Sequence, residues 1–169
     1  MEGFFDGLEQ AIRERNWHAV LVMALTLPDI CAKIVMPAER SGRRYAAWFD
    51  QHVKPKYTFQ IGVGAQERVF LSGTDCYALR CVLLHEGSTD TARQPASDAL
   101  DRFHFCVPGQ FNLRLHCNQI GRALILMVDE FAVDVLNAAR AWWSSLDSAE
   151  REATAGRLLA IRSTDNISF

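Results

Sequence analysis

The chain lacks a charge excess of either sign. Eighteen Lys and Arg stand against 20 Asp and Glu in 169 residues, a formal net charge of −2. A nearly neutral chain exerts no global pull on nucleic acid, so any phosphate-binding surface has to be a local patch. Cysteines paired at metal spacing are also missing. Cys31, Cys76, Cys81, Cys106 and Cys117 are odd in number and contain no Cys-x2-Cys, which argues against a zinc ribbon or finger. The start, "MEGFFDGLEQ", is acidic and has no apolar core region, so no secretory leader is legible. Reduced thiols in a cytoplasm are the expectation. No uncharged apolar run reaches the about 18 residues a membrane helix needs. The nearest, "WHAVLVMALTLPDICAKIV", contains His18, Pro28, Asp29 and Lys33 and reads as a buried helix. The "GVG" at 62–64 has no phosphate-loop pattern after it. No internal repeat or low-complexity segment is present.

What is there suffices for one core. Apolar residues make up 49% of the chain, and a chain of this size buries about 70% of its unfolded surface. A single domain over 1–169 is expected. Phe4, Phe5, Leu8 and Ile12 share a face at helical spacing over 3–15. A second, more apolar helix covers 17–35, where Pro28 either kinks it or begins a new one. Ser41 is a candidate cap for a third over 41–53, with Tyr45, Trp48, Phe49 and Val53 as its stripe. Residues 56–71 read as irregular. "LSGTDCYALRCVLLHEG" is a fourth helix, capped by Ser72 or Thr74 and ended by Gly87. A loop over 88–101 follows. "RFHFCV", "FNLRLHC" and "RALILMV" have strand character, with a hairpin signal at Pro108-Gly109-Gln110. Helices over 129–144 and 148–162 close the chain. The fold class is therefore mainly α: a helical bundle with a small antiparallel β insert at about 102–128, before the penultimate helix.

"DCYALRCVLLHEG", residues 75–87, sets Arg80 and His85 inside a run of Leu, Val and Cys. Positions five apart on a helix differ by about 140°, so the two flank a broad face rather than share a stripe. A guanidinium at an apolar face needs solvent, a carboxylate or a phosphate. Asp29, in "LPDIC", is a candidate carboxylate; Asp75 lies on the same helix at a spacing poor for a helical pair. Arg80 snorkelling to water, and His85 placed by the helix dipole, are the structural alternatives.

The Arg80–His85 stretch resembles the Arg-x4-6-His signature of the HEPN superfamily, compact α-helical domains. "ALTLPDIC", "WFDQHV" and "LSGTDCYALRCVLLHEG" are also similar to a widespread group of uncharacterised bacterial proteins. Many HEPN domains are metal-independent ribonucleases of toxin, phage-defence and RNA-processing systems, and many others are non-catalytic. The resemblance implies a HEPN-like bundle and a site at Arg80 and His85, with Asp29, Cys81 and Asp75 in support. No cofactor or metal is implied. The ribose 2′-hydroxyl would attack the adjacent phosphate, His85 would move the proton and Arg80 would hold the phosphate. Two motif helices would meet across a homodimer. Arg43 and Arg44, within "ERSGRR", would add phosphate attraction. The partners implied are RNA or a nucleotide and a second copy, with a protein partner or antitoxin as a further possibility and no membrane. Cys81 departs from the pattern: active members often carry a polar residue directly after the Arg.

Other chemistries have thinner support. Cys81 and His85 are spaced i, i+4, and His104 with Cys106 would share a strand face, whereas His116 and Cys117 would split across one. Cys76, early in its helix, gains some help from the N-terminal dipole toward a reactive thiol. Of Trp142-Trp143, one ring is expected in the core and the other either as an interface anchor or as a cap on the core edge. The alternative to an RNA-directed enzyme is a non-catalytic helical interaction module.

Overall fold

In a computed structural model, which describes residues 1–94, 99–109, 113–159 and 161, the apolar stretch Trp17–Val35 is one unbroken helix, α2. By length and composition it could cross a membrane. Here it is the central post of a bundle. It packs on Glu2–Arg13 (α1), Ser41–His52 (α3), Gly73–Glu86 (α4) and Val128–Ser145 (α5). Asn16 begins α2, its side chain accepting the Ala19 N–H. Pro28 lies within the helix rather than starting a new one. An interior proline removes one N–H and crowds the carbonyl four residues back. The neighbouring Leu25 carbonyl accepts a hydrogen bond from the Tyr45 hydroxyl at 3.1 Å, so α3 covers the weakened turn.

The core is aromatic where α3 meets α5. Tyr45, Trp48 and Phe49 are buried, and Trp48 meets Trp142 edge to face. Trp142 and Trp143 are both buried in the core cluster, which leaves neither ring as an exposed interface anchor. At α3 the cap position belongs to Arg40; Ser41 lies inside the helix with its hydroxyl 3.0 Å from that of Tyr77. At α4 the expectation holds. Ser72 accepts the Asp75 N–H, and Gly87, at φ +64°, ends the helix with the Gly87 and Ser88 N–H groups on the Leu83 and Val82 carbonyls.

The stretch 56–71 is more ordered than its composition suggests. A 3₁₀ turn at Lys54–Tyr57 leads into an antiparallel hairpin of Thr58–Ile61 (β1) and Gln66–Val69 (β2), paired Thr58 with Val69 through Ile61 with Gln66. The "GVG" is its turn, with Gly62 and Gly64 at φ +79° and +98°. Seven of its eight strand residues are exposed; Phe59 and Ile61 alternate with Thr58 and Gln60 in β1, but over four residues only, and Gln66–Val69 has no such alternation.

The second sheet corrects the expected antiparallel insert. Its strands are Arg102–Cys106 (β3), Asn118–Ile120 (β4) and Ala123–Met127 (β5), in the order β3-β5-β4. β3 lies parallel to β5; only β4 is antiparallel to it. The hairpin signal at Pro108-Gly109-Gln110 runs into residues outside those described, and the hairpin among the described residues of this sheet turns elsewhere. Its turn is Gly121-Arg122, between the paired Ile120 and Ala123, with Gly121 at φ +60°. Gln110, Phe111 and Asn112 lie outside the described residues. Leu113 to Leu115 carry no regular structure, and Cys117, at φ +55°, sits in a turn. β5 runs directly into α5, and Leu124, Leu126 and Phe131 join the core. The last helix, Ser148–Ala155 (α6), is shorter than expected and begins with a capping box between Asp147 and Glu150.

α3 and α4 approach closely at Gly73, whose N–H donates to Asp50 at 2.8 Å. A Cβ there would meet the backbone of Ala46, with its Cα at 2.7 Å. Backbone cannot rotate away as a side chain can. Gly73→Ala is expected to cost about 3 kcal/mol and to lower the thermal midpoint by roughly 6–12 °C, as read by thermal denaturation.

Candidate functional site

Asp29 follows Pro28 on a face of α2 where polar residues recur at helical spacing: Thr26, Asp29 and Lys33. Its carboxylate meets two arginines. Arg80 of α4 donates from Nη2 to Oδ2 at 2.9 Å, and Arg44 of α3 donates from Nη2 to Oδ1 at 3.1 Å. Arg44 also donates to the Glu39 carbonyl at 3.0 Å. The three side chains are 16% (Asp29), 15% (Arg44) and 21% (Arg80) exposed. Removing charge from water is costly unless it is paired. Here each carboxylate oxygen has a guanidinium, while the two buried Nε atoms have no partner among the described residues. Two cations on one anion leave a positive charge in excess.

The remaining sequence candidates disperse. His85 lies five residues beyond Arg80, about 7.5 Å along the helix and 140° around it. It is exposed in the last turn of α4 and makes no hydrogen bond to a described residue. Cys81 is half-buried. Asp75 lies toward the opposite end of α4 and does not support Arg80. It is buried, accepts the Ala99 and Leu100 N–H groups at 3.0 Å and the Ser72 hydroxyl at 2.8 Å, and so fastens the chain that leads into β3. Arg43 and Arg44 diverge, as adjacent helical positions must. Arg43 is exposed and pairs with Glu39 at 3.5 Å.

Among the described residues no three His, Cys, Asp or Glu gather into a group suited to a metal ion. His116 is engaged structurally: its Nδ1 accepts the Met127 N–H at 3.2 Å and its ring lies against Tyr57. Cys76 is no nucleophile. Burial outweighs any help from the helix N-terminus and pushes its thiol up to about 12. Burial also raises Cys31, and burial with Asp134 and Glu130 nearby pushes Cys117 up to about 12.

Beside the Asp29–Arg44 pair opens a cleft of about 420 Å³, lined by α2 residues Thr26, Asp29, Ile30, Lys33 and Ile34, by Arg44, and by Thr154, Arg157 and Leu158. Lys33 and Arg157 were not among the sequence candidates. The spacing of Thr26, Asp29 and Lys33 on an otherwise apolar helix was a usable signal for the first. Nothing local marks Arg157, which tertiary packing brings to the cleft. No family model, curated protein or solved structure matches this chain.

Two outcomes follow. Asp29→Asn leaves two largely buried guanidiniums without a counter-charge and should cost about 2–4 kcal/mol, lowering the thermal midpoint by roughly 5–15 °C. Asp134 behaves oppositely. Burial raises its carboxyl pKa, against the opposing pull of His116 and the Tyr57 hydroxyl. The folded protein therefore binds this proton more tightly than the unfolded chain. Stability falls as pH rises from the unfolded aspartate value through the folded one. Asp134→Asn should melt above the wild type at pH 7, by less than about 1 kcal/mol because the group is half-exposed. The difference should close below about pH 4, as followed by melts across pH.

Proposed function

We propose that the chain is a HEPN-like, metal-independent ribonuclease acting through Arg80 and His85. The observation that carries this reading is the contrast along α4. Arg80 is fixed by Asp29 within a cluster of excess positive charge, while His85 stands exposed and unengaged near the open end of the same helix. An exposed imidazole can reach a substrate proton, the role a histidine most often plays in general acid–base catalysis. Arg80, whose side chain is 21% exposed, is the candidate to hold a phosphate oxygen.

In the reaction the 2′-hydroxyl loses its proton to a base, for which His85 is the candidate, and its oxygen attacks the adjacent phosphorus. The bond to the 5′-oxygen breaks, and that oxygen takes a proton. Arg80 offsets the charge that gathers on the non-bridging oxygens. The products are a 2′,3′-cyclic phosphate and a 5′-hydroxyl. Arg80 and His85 lie on different sides of α4, which favours a homodimer in which the two copies complete one cleft. An RNA or nucleotide substrate in the cytoplasm, with an antitoxin-like protein as a partner, fits this reading.

A second reading has its own observation. Arg80 is already engaged, and Asp29 joins α2, α3 and α4 through Arg44 and Arg80. In a non-catalytic interaction module this cluster is a cross-brace and His85 is incidental.

Purified protein incubated with RNA in EDTA separates the two. Cleavage with cyclic-phosphate ends is expected, reduced about 10²–10⁴-fold in His85→Ala while circular dichroism stays unchanged. An inactive wild type across several RNAs would favour the interaction module.

A further inference from the structure

We infer that the cleft between α2, α3 and the C-terminal end of α6 binds a small phosphate monoester. It is separate from His85, which does not line it. Its volume of about 420 Å³ falls within the range of about 300–1,000 Å³ common to small-molecule sites. Its charge is one-sided. Lys33, Arg44 and Arg157 line it against a single acid, Asp29, already held by Arg44 and, from behind, Arg80.

Two of these cations lack a counter-charge. Lys33 donates to the Pro37 carbonyl at 2.6 Å but pairs with no carboxylate among the described residues. Arg157 is exposed and has no ion pair there either. Arginine and lysine converging on a concave surface present the donors that a phosphate dianion accepts.

A cleft elsewhere on the molecule shows the contrast. Arg102 and Arg122 also line a concavity, with His104, but Asp90 and Asp101 lie in it too. Each pairs directly with one arginine, Arg102 with Asp90 at 3.1 Å and Arg122 with Asp101 at 2.5 Å. That surface has no cationic excess of the kind seen beside α2.

The rest of the α2 cleft sets the kind of ester. Ile30, Ile34 and Leu158 supply an apolar wall for an organic body. The two threonine hydroxyls already donate within their helices, Thr26 to the Val22 carbonyl and Thr154 to the Glu150 carbonyl, and can only accept from a ligand. The site therefore takes a compact molecule with a doubly charged phosphate at one end and a body offering apolar surface and hydroxyl donors at the other. A ribose phosphate or a nucleoside monophosphate has this form.

The test is a thermal-shift titration of the full chain at fixed ionic strength with adenosine monophosphate, ribose 5-phosphate and inorganic phosphate. A saturable rise in midpoint with at least one ester, larger than with inorganic phosphate, is expected. Lys33→Gln and Arg157→Gln should each weaken apparent affinity about tenfold or more, whereas Arg102→Gln, in the charge-balanced cleft, should bind as the wild type does. This readout is independent of RNA cleavage, so the site can stand if the ribonuclease reading falls, and the reverse. No shift with either ester would overturn the inference. So would an equal response to inorganic phosphate, or undiminished binding in the Lys33→Gln/Arg157→Gln double variant.

Discussion

A carboxylate held between two guanidiniums links the three helices that matter most to this molecule. Asp29 belongs to the central helix, and Arg44 and Arg80 reach it from α3 and α4. The arrangement ties together three helices whose remaining contacts are apolar packing and a few directional hydrogen bonds, such as Tyr45 to the Leu25 carbonyl and Gly73 to Asp50. It also concentrates charge. One arginine sits on the candidate catalytic helix and the other on the wall of a cationic cleft, so the same aspartate neutralises part of both. An apolar replacement could pack the helices as well, but it would not hold a cation at either place.

The helices were legible because their signals are local. Phe4, Phe5, Leu8 and Ile12 recur at helical spacing in α1 and lie in or against the core, Ser72 and Gly87 bracket α4, and the aromatic stripe of α3 points inward. Pairing Asp29 with Arg80 followed from electrostatics, since a guanidinium on an apolar helix needs a carboxylate and "LPDIC" offered one. The sheet was harder to read. Parallel pairing of β3 with β5 joins segments some 20 residues apart, and strand direction leaves no trace in alternation. Residues 111–117 alternate in sequence, yet the described part of that stretch has no strand partner. The chain pairs instead at Asn118–Ile120, three residues too short to carry a pattern. Arg157 was invisible because its place depends on how the end of the chain packs.

α4 is built asymmetrically. Its first turn is closed in by Asp75, which spends its carboxylate on Ser72, Ala99 and Leu100. Its last turn ends in a left-handed glycine and leaves His85 to solvent. Anchoring one end and freeing the other presents a side chain from rigid backbone without burying it. Sites built on regular elements hold their geometry better than sites on loops. The buried thiols of Cys31 and Cys76, raised far from reactivity, fill the interior between these helices as small apolar groups.

The passage of β5 into α5 without an intervening loop has a consequence for folding fidelity. A strand inverts its faces with every residue, whereas a helix turns by about 100°. At Met127–Val128 the two periods are joined end to end. A slip of one residue in the sheet would therefore expose Leu124 and Leu126 and also rotate Phe131 and Val135 out of the core. Two repeats with no common divisor act like the wards of a lock, and only one alignment satisfies both.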